Sequence, residues 1–161
     1  MKIYWIDKED IPGRLGITAR PRGNEWLEQE IMTIKKQNIG IVVSLLESEE
    51  IYELGLEQEE KICNSYGIAY INFPIKDRDI PRDEYKLKNL IMLLNEKLNS
   101  GVSIVIHCRM GIGRSSIIAA CILQERGLNA EDIFRLISKT RGLEVPDTDA
   151  QIRWVEHRKT K

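Results

Sequence analysis

The residues best suited to covalent chemistry sit in one short run, HCRMGIGRSS, at positions 107–116. It holds a thiol at Cys108, glycines at Gly111 and Gly113, a guanidinium at Arg114 and hydroxyls at Ser115 and Ser116. A cysteine reacts as its thiolate, which neighbouring cations and helix N-termini favour. Glycines let a backbone turn until successive N–H groups converge on an anion. Arg114 adds a planar fork that matches two phosphate oxygens. The combination suits a bound phosphate dianion with a nucleophilic sulfur beneath it.

The surrounding elements must hold that run in place. The branched, apolar stretch VSIVIH (102–107) reads as a strand, and 114–126 reads as a helix stopped by Gly127. A strand, glycine loop and helix would bring the loop to a helix N-terminus, where unpaired N–H groups and the dipole attract anions. Strands are also expected at 3–6, 14–18, 39–46 and 68–73, and helices at 24–37 and 82–99, with two short helical pieces within 48–65. Asn24 is the expected cap of the first helix. Two more helices close the chain, one capped by Asn129 with Asp132 at N3, the other starting near Asp147 and Thr148. Trp26 and Trp154 fall at helical apolar spacings and read as packing residues. The alternation predicts an α/β fold: a single-domain sandwich over residues 1–161, with a central four- or five-stranded, mostly parallel sheet flanked by helices. An amino-terminal antiparallel pair would make the sheet mixed.

Composition narrows the field. With 24 Lys and Arg against 25 Asp and Glu, the net charge of -1 gives no general footprint for nucleic acid. No stretch reaches the roughly 18 apolar residues of a membrane span, and the amino terminus lacks a signal-peptide core, so a cytoplasmic protein is expected. Three cysteines without CxxC spacing argue against a disulfide framework or zinc site. Only two histidines, His107 and His157, are present, so no metal and no cofactor are expected. Cys63 and Cys121 read as core residues. No Walker phosphate loop occurs, and RMGIGRSS lacks the third glycine of the Rossmann fingerprint.

The pattern His-Cys-x5-Arg-Ser between a strand and a helix resembles the signature loop of the cysteine-dependent protein tyrosine phosphatase superfamily. The resemblance runs through most of the chain and is nearest to the compact, atypical dual-specificity phosphatases. It implies that Cys108 attacks phosphorus while backbone amides of Arg109, Met110, Gly111, Ile112, Gly113 and Arg114 hold the phosphate. Arg114 would clamp the transition state, and Ser115 would assist departure of the thiolate. His107 would order the loop from beneath. In such families the acid follows a strand, about four residues before a proline, which favours Asp77 in FPIKDRDIP, with Asp79 as the alternative. The Thr-x-x-Gln stretch in PDTDAQIRWV nominates Gln151 to position water.

The implied function is hydrolysis of phosphomonoesters through a phosphocysteine intermediate, on phosphotyrosine and phosphoserine or phosphothreonine of proteins. Inorganic phosphate or a similar oxyanion should occupy the loop. Arg109, with Arg20, Arg22, Arg78 and Arg82, raises a second reading: an inositol lipid, a phosphorylated glycan or an RNA 5′ phosphate. A phosphate-binding module without turnover is a third.

Overall fold

The computed structural model describes residues 1–6 and 10–160. Among them five strands form one sheet in the order β1-β2-β5-β3-β4. These are β1 (Tyr4–Ile6), β2 (Leu15–Thr18), β3 (Ile39–Ser44), β4 (Ala69–Asn72) and β5 (Ser103–His107). Only β1 and β2 pair antiparallel; the other three pairings are parallel. The mixed sheet expected from the alternating pattern is therefore present.

Among the described residues seven α-helices flank it: α1 (Leu27–Lys36), α2 (Ser48–Glu53), α3 (Glu59–Ser65), α4 (Glu84–Asn99), α5 (Arg114–Glu125), α6 (Ala130–Arg141) and α7 (Asp149–Glu156). Alternation along the strands sorts side chains onto two faces. In β5, Ile104 and Ile106 pack into the core shared with α4, α5 and α6, whereas Val105 joins the core against α1 and α3. Ile41 and Val43 follow the first pattern and Val42 the second. Each fully buried aliphatic side chain contributes roughly 1.5–3 kcal/mol of hydrophobic stabilisation. The central strands are thus fixed in register as well as in place. Helix α5 is buried from Arg114 through Gln124, as its nearly uninterrupted run of apolar and small residues requires.

Two local expectations differ. Asn24 does not cap α1: it takes a left-handed φ of 53° and opens a 3-10 turn over Asn24–Trp26 that runs into the helix. Its backbone N–H instead bonds the Gly55 carbonyl at 2.9 Å, a tertiary contact that outweighs the capping preference. Trp26 is 48% exposed, and Arg22 lies over its ring at 4.8 Å, so it packs against a cation at the surface rather than in the core. The later caps form as expected. Asn129 Oδ1 accepts from the Asp132 N–H at 2.9 Å, and Thr148 and Gln151 make a reciprocal capping box.

Register places the chemistry. Thr18, His107 and Ser44 are paired neighbours at the ends of β2, β5 and β3. All three strands therefore finish at one edge, the carboxyl edge where ligands of open α/β sheets bind.

Candidate active site

Residues 108–113 turn from β5 into α5 at that edge. Gly111 has a φ of 70°, and a side chain there would meet the Thr18 carbonyl carbon at 2.6 Å and the Ala19 nitrogen at 2.8 Å. Both conformation and close approach demand glycine. From the last turn of α6, Arg141 donates to the Gly111 carbonyl at 2.9 Å and the Met110 carbonyl at 3.0 Å. In a trans peptide the C=O and the following N–H point opposite ways. Drawing these carbonyls outward turns the N–H groups of Gly111 and Ile112 inward. The Gly111 N–H accordingly reaches the Cys108 Sγ at 3.3 Å.

Cys108 is 2% exposed and also accepts the Ser115 hydroxyl at 2.9 Å. Two donors thus converge on one sulfur. Ser115 is fully buried behind it.

Arg114 is held in a fixed pose. Its Nη1 and Nη2 donate to the two Glu50 oxygens at 2.7 and 2.9 Å, and Nη1 donates also to the Ile75 carbonyl at 2.9 Å. The Asp77 carboxylate lies 3.2 Å from Nη2. Burial alone would push the Glu50 pKa up, but the Arg114 hydrogen bonds and charge, with the Glu47 backbone bond, hold it below the usual 4.5. Glu50 escapes sequence reasoning because an acid at the third position of a helix reads as a cap, and it does cap α2 through the Glu47 N–H.

Behind the loop, His107 makes two contacts: Nε2 with Glu59 Oε2 at 2.7 Å, and Nδ1 with the Cys108 carbonyl at 3.2 Å. Both partners are acceptors, so the ring serves them best when doubly protonated. Burial disfavours that cation, yet the Glu59 charge and hydrogen bond outweigh it and raise the His107 pKa above 6.5. Glu59 is the second acid not foreseen; it is fully buried and 48 positions from its partner. Cys63 and Cys121 are buried, free thiols, each pushed up to about 12, chiefly by burial. Neither resembles Cys108 in its surroundings.

Above the sulfur lies a cavity of about 150 Å³ lined by Asp77, Arg78, Cys108, Arg109, Met110, Gly113, Arg114 and Asp147. Two larger grooves, about 570 and 630 Å³, run along α4 and share no residue with it. The chemistry, not the volume, marks the small one. It is well below the ~300–1,000 Å³ of a small-molecule pocket, so it accommodates a phosphoryl group with most of its ester outside.

The two candidate acids occupy different settings. Asp77 lines the cavity with its side chain 56% exposed. Asp79 stands apart, its Oδ1 accepting from the Ile80 N–H at 2.8 Å and from Arg82 at 2.9 Å. Between them Arg78 adopts a φ of 62°, unusual for a residue with a side chain. Gln151 is fully buried beside Gly113 and does not line the cavity. Its Oε1 accepts the N–H groups of Asp147 and Thr148 at 3.0 and 3.1 Å, and its Nε2 donates to the Asp79 carbonyl at 3.0 Å.

The surrounding arginines mostly have partners. Arg22 binds Glu30, Arg82 binds Asp79, Arg20 donates to the Pro21 carbonyl, and Arg109 approaches Glu50 and Glu53 at 3.5 Å. Among the described residues, no group of three or more His, Cys, Asp or Glu could hold a metal ion, and no helix is long and apolar enough to cross a membrane.

A family model described as "Polymorphic toxin system, DSP-PTPase phosphatase" matches residues 16–128, from β2 through the signature loop to the end of α5. The chain belongs to this DSP-PTPase family. The resemblance carried by His-Cys-x5-Arg-Ser thus holds for the family as a whole. The DSP-PTPase chain is 26% identical over 85 residues to protein 123R of Invertebrate iridescent virus 6, which bears a tyrosine phosphatase name. That stretch covers 52% of this chain, which spans 60% of the viral relative. Its fold is similar to a crystal structure of kinase associated phosphatase, with a TM-score of 0.89 at 20% identity, covering 96% of this chain and 92% of that one. The core catalytic domain of the PP-IP phosphatase SIW14 from S. cerevisiae superimposes with a TM-score of 0.66 at 16% identity, covering 90% and 80%. At these identities the two structures speak for the fold alone.

Proposed function

We propose that this protein hydrolyses phosphomonoesters through a phosphocysteine intermediate, acting on phosphotyrosine and on phosphoserine or phosphothreonine in proteins. The observation that carries this reading is the convergence of the Ser115 hydroxyl and Gly111 N–H on Cys108 Sγ, with the Arg114 fork in the same cavity.

In the first step the Cys108 thiolate attacks phosphorus, the P–O bond to the leaving group breaks, and Asp77 gives its proton to the departing oxygen. The backbone N–H groups of residues 109–114 and the Arg114 guanidinium bind the equatorial oxygens. An incoming phosphate displaces Asp77 from Arg114, which frees the carboxyl to meet the leaving group. Water then attacks phosphorus, and the P–S electron pair returns to sulfur, where the Ser115 hydroxyl receives it. His107 holds the Cys108 carbonyl from behind. Gln151 does not reach the cavity; it acts from beside Gly113 by holding the turn at Asp147 and Thr148.

The small cavity supports dual specificity, because a pocket that grips the phosphoryl group alone does not demand a long aryl arm. Arg78, Arg109 and Arg114 all line it, which favours a second reading in which the substrate carries further phosphates. The pairing of Arg22, Arg82 and Arg109 with acids weighs against it.

Phosphate release from p-nitrophenyl phosphate without added metal, compared with Cys108→Ser, tests the chemistry. Turnover lost in the serine variant is expected. Equal activity in both proteins overturns the reading, and capture of a phosphopeptide without release makes the protein a binding module. A panel of phosphotyrosyl, phosphothreonyl and inositol phosphate substrates separates the two substrate classes.

A further inference from the structure

Asp147 is a second carboxylate at the cavity, unassigned by the chemistry above. It lines the same space as Cys108, Arg114 and Asp77. It also sits hard against the loop: a methyl group on Gly113 would collide with its carboxylate Oδ2 and lie 3.2 Å from Gln151 Nε2. Gly113 is the residue before Arg114 and the N-cap of α5. A carboxylate facing a phosphate site repels the dianion. Its position has a use only in a step where something other than the phosphate needs an acceptor.

Hydrolysis of the phosphocysteine is such a step. The attacking water must be turned so that a lone pair faces phosphorus and its hydrogens face acceptors. Gln151 is poorly placed to do this, since its carbonyl oxygen already takes two backbone N–H groups and one amide hydrogen is bound to Asp79. What those bonds do is fix Asp147. The Gln151 carbonyl holds the Asp147 N–H at 3.0 Å, and the capping box with Thr148 ties the same turn to α7.

We propose that Asp147 is the catalytic residue that orients the water in phosphocysteine hydrolysis, with Gln151 as the positioning residue that holds it there. This rests on the phosphocysteine reading of the site. In the step, the water oxygen forms the new P–O bond and the P–S bond breaks, its electron pair returning to Cys108. One water proton passes to the Asp77 carboxylate, which restores the acid spent in the first step. The other is held by Asp147 as a hydrogen bond. Gly113 is required because any side chain would push the Asp147 carboxylate out of the cavity.

Rapid-quench kinetics with p-nitrophenyl phosphate separates formation of the phosphocysteine, read as a nitrophenol burst, from its breakdown, read as phosphate release. Asp147→Ala should slow breakdown by about tenfold or more while the burst rate is retained, so that phosphoenzyme accumulates. Asp147→Asn keeps an acceptor oxygen and should recover most of the breakdown rate. Gln151→Ala should slow breakdown in the same direction. Breakdown unchanged in Asp147→Ala overturns the proposal, as does a parallel fall of burst and breakdown, which marks a structural role. Phosphate release by the unmodified protein with no phosphoenzyme on Cys108 overturns instead the reading on which it rests.

Discussion

The floor and the rim of the cavity are built on opposite terms. On the floor, Cys108, His107, Arg114 and Ser115 are all buried, and each has defined partners: Ser115 and Gly111 for the sulfur, Glu59 for the imidazole, Glu50 for the guanidinium. On the rim, Asp77 and Asp147 stand exposed and Arg78 takes a left-handed backbone. In the proposed mechanism the floor holds the phosphoryl group through both steps and gains from rigidity. The rim, in the same mechanism, exchanges protons with a leaving group and then with water, so its groups must be reachable. Loss of a floor residue should therefore cost fold and function together, whereas loss of a rim residue should cost one chemical step.

The largest effect expected at the rim is that of Asp77→Asn, which removes the proposed proton donor and should lower turnover by about 10²–10⁴-fold. The basic limb of the pH–rate profile should flatten with it. Asp79→Asn keeps an oxygen for the Ile80 N–H and should leave turnover close to that of the unmodified protein. The reverse pattern in steady-state assays would transfer the role to Asp79.

A floor substitution should show the opposite signature. Glu50→Gln deprives the buried Arg114 of its bidentate charge partner and leaves only the exposed Asp77, which costs about 3 kcal/mol. For a chain of this size that is a fall of roughly 6–12 °C in Tm, visible in a thermal melt alongside reduced activity. An unchanged Tm would show that Glu50 is not part of the floor's support.

Arg141 supports the floor at one remove. Arg141→Ala loses two charge-assisted bonds to loop carbonyls, and the stacking on Tyr4 at 4.2 Å. Inorganic phosphate should then bind about tenfold more weakly, as measured by competitive inhibition. Equal inhibition would mean the loop holds its shape unaided.

The two buried ion pairs also give the floor opposite pH dependences. The Glu50 pKa is depressed, so its stabilisation is fully present above 4.5 and is lost as pH falls through the folded value. The His107 pKa is raised, so its stabilisation is fully present below 6.5 and is lost as pH rises through the folded value. The Tm difference between the unmodified protein and Glu59→Gln should accordingly be largest at or below pH 6.5 and shrink on the alkaline side. A difference that grows with pH would contradict the imidazolium pair.

The floor's composition was legible in the sequence because nature of residue and spacing coincide in one run: Cys108, Gly111, Gly113, Arg114 and Ser115 lie within eight positions, and the strand before them and helix after them are strongly patterned. The mixed sheet and the later helix caps were legible for the same local reason. The floor's supports were not. Glu50 and Glu59 each sit in the first turn of a short helix, where an acid satisfies the dipole and needs no further explanation. Only packing brings Glu50 to a residue 64 positions away. Asp147 was hidden in the same way, as part of the turn that caps α7. Asn24 carried a capping preference that a contact with Gly55 overrode.

The central claim is that catalysis passes through a covalent bond to Cys108, and the most direct measurement is to trap it. The protein is mixed with p-nitrophenyl phosphate, quenched in acid within a turnover and digested for mass spectrometry. The account predicts a phosphoryl group on the peptide containing Cys108, and neither adduct nor phosphate release from Cys108→Ser. Phosphate release that persists in Cys108→Ser would contradict it.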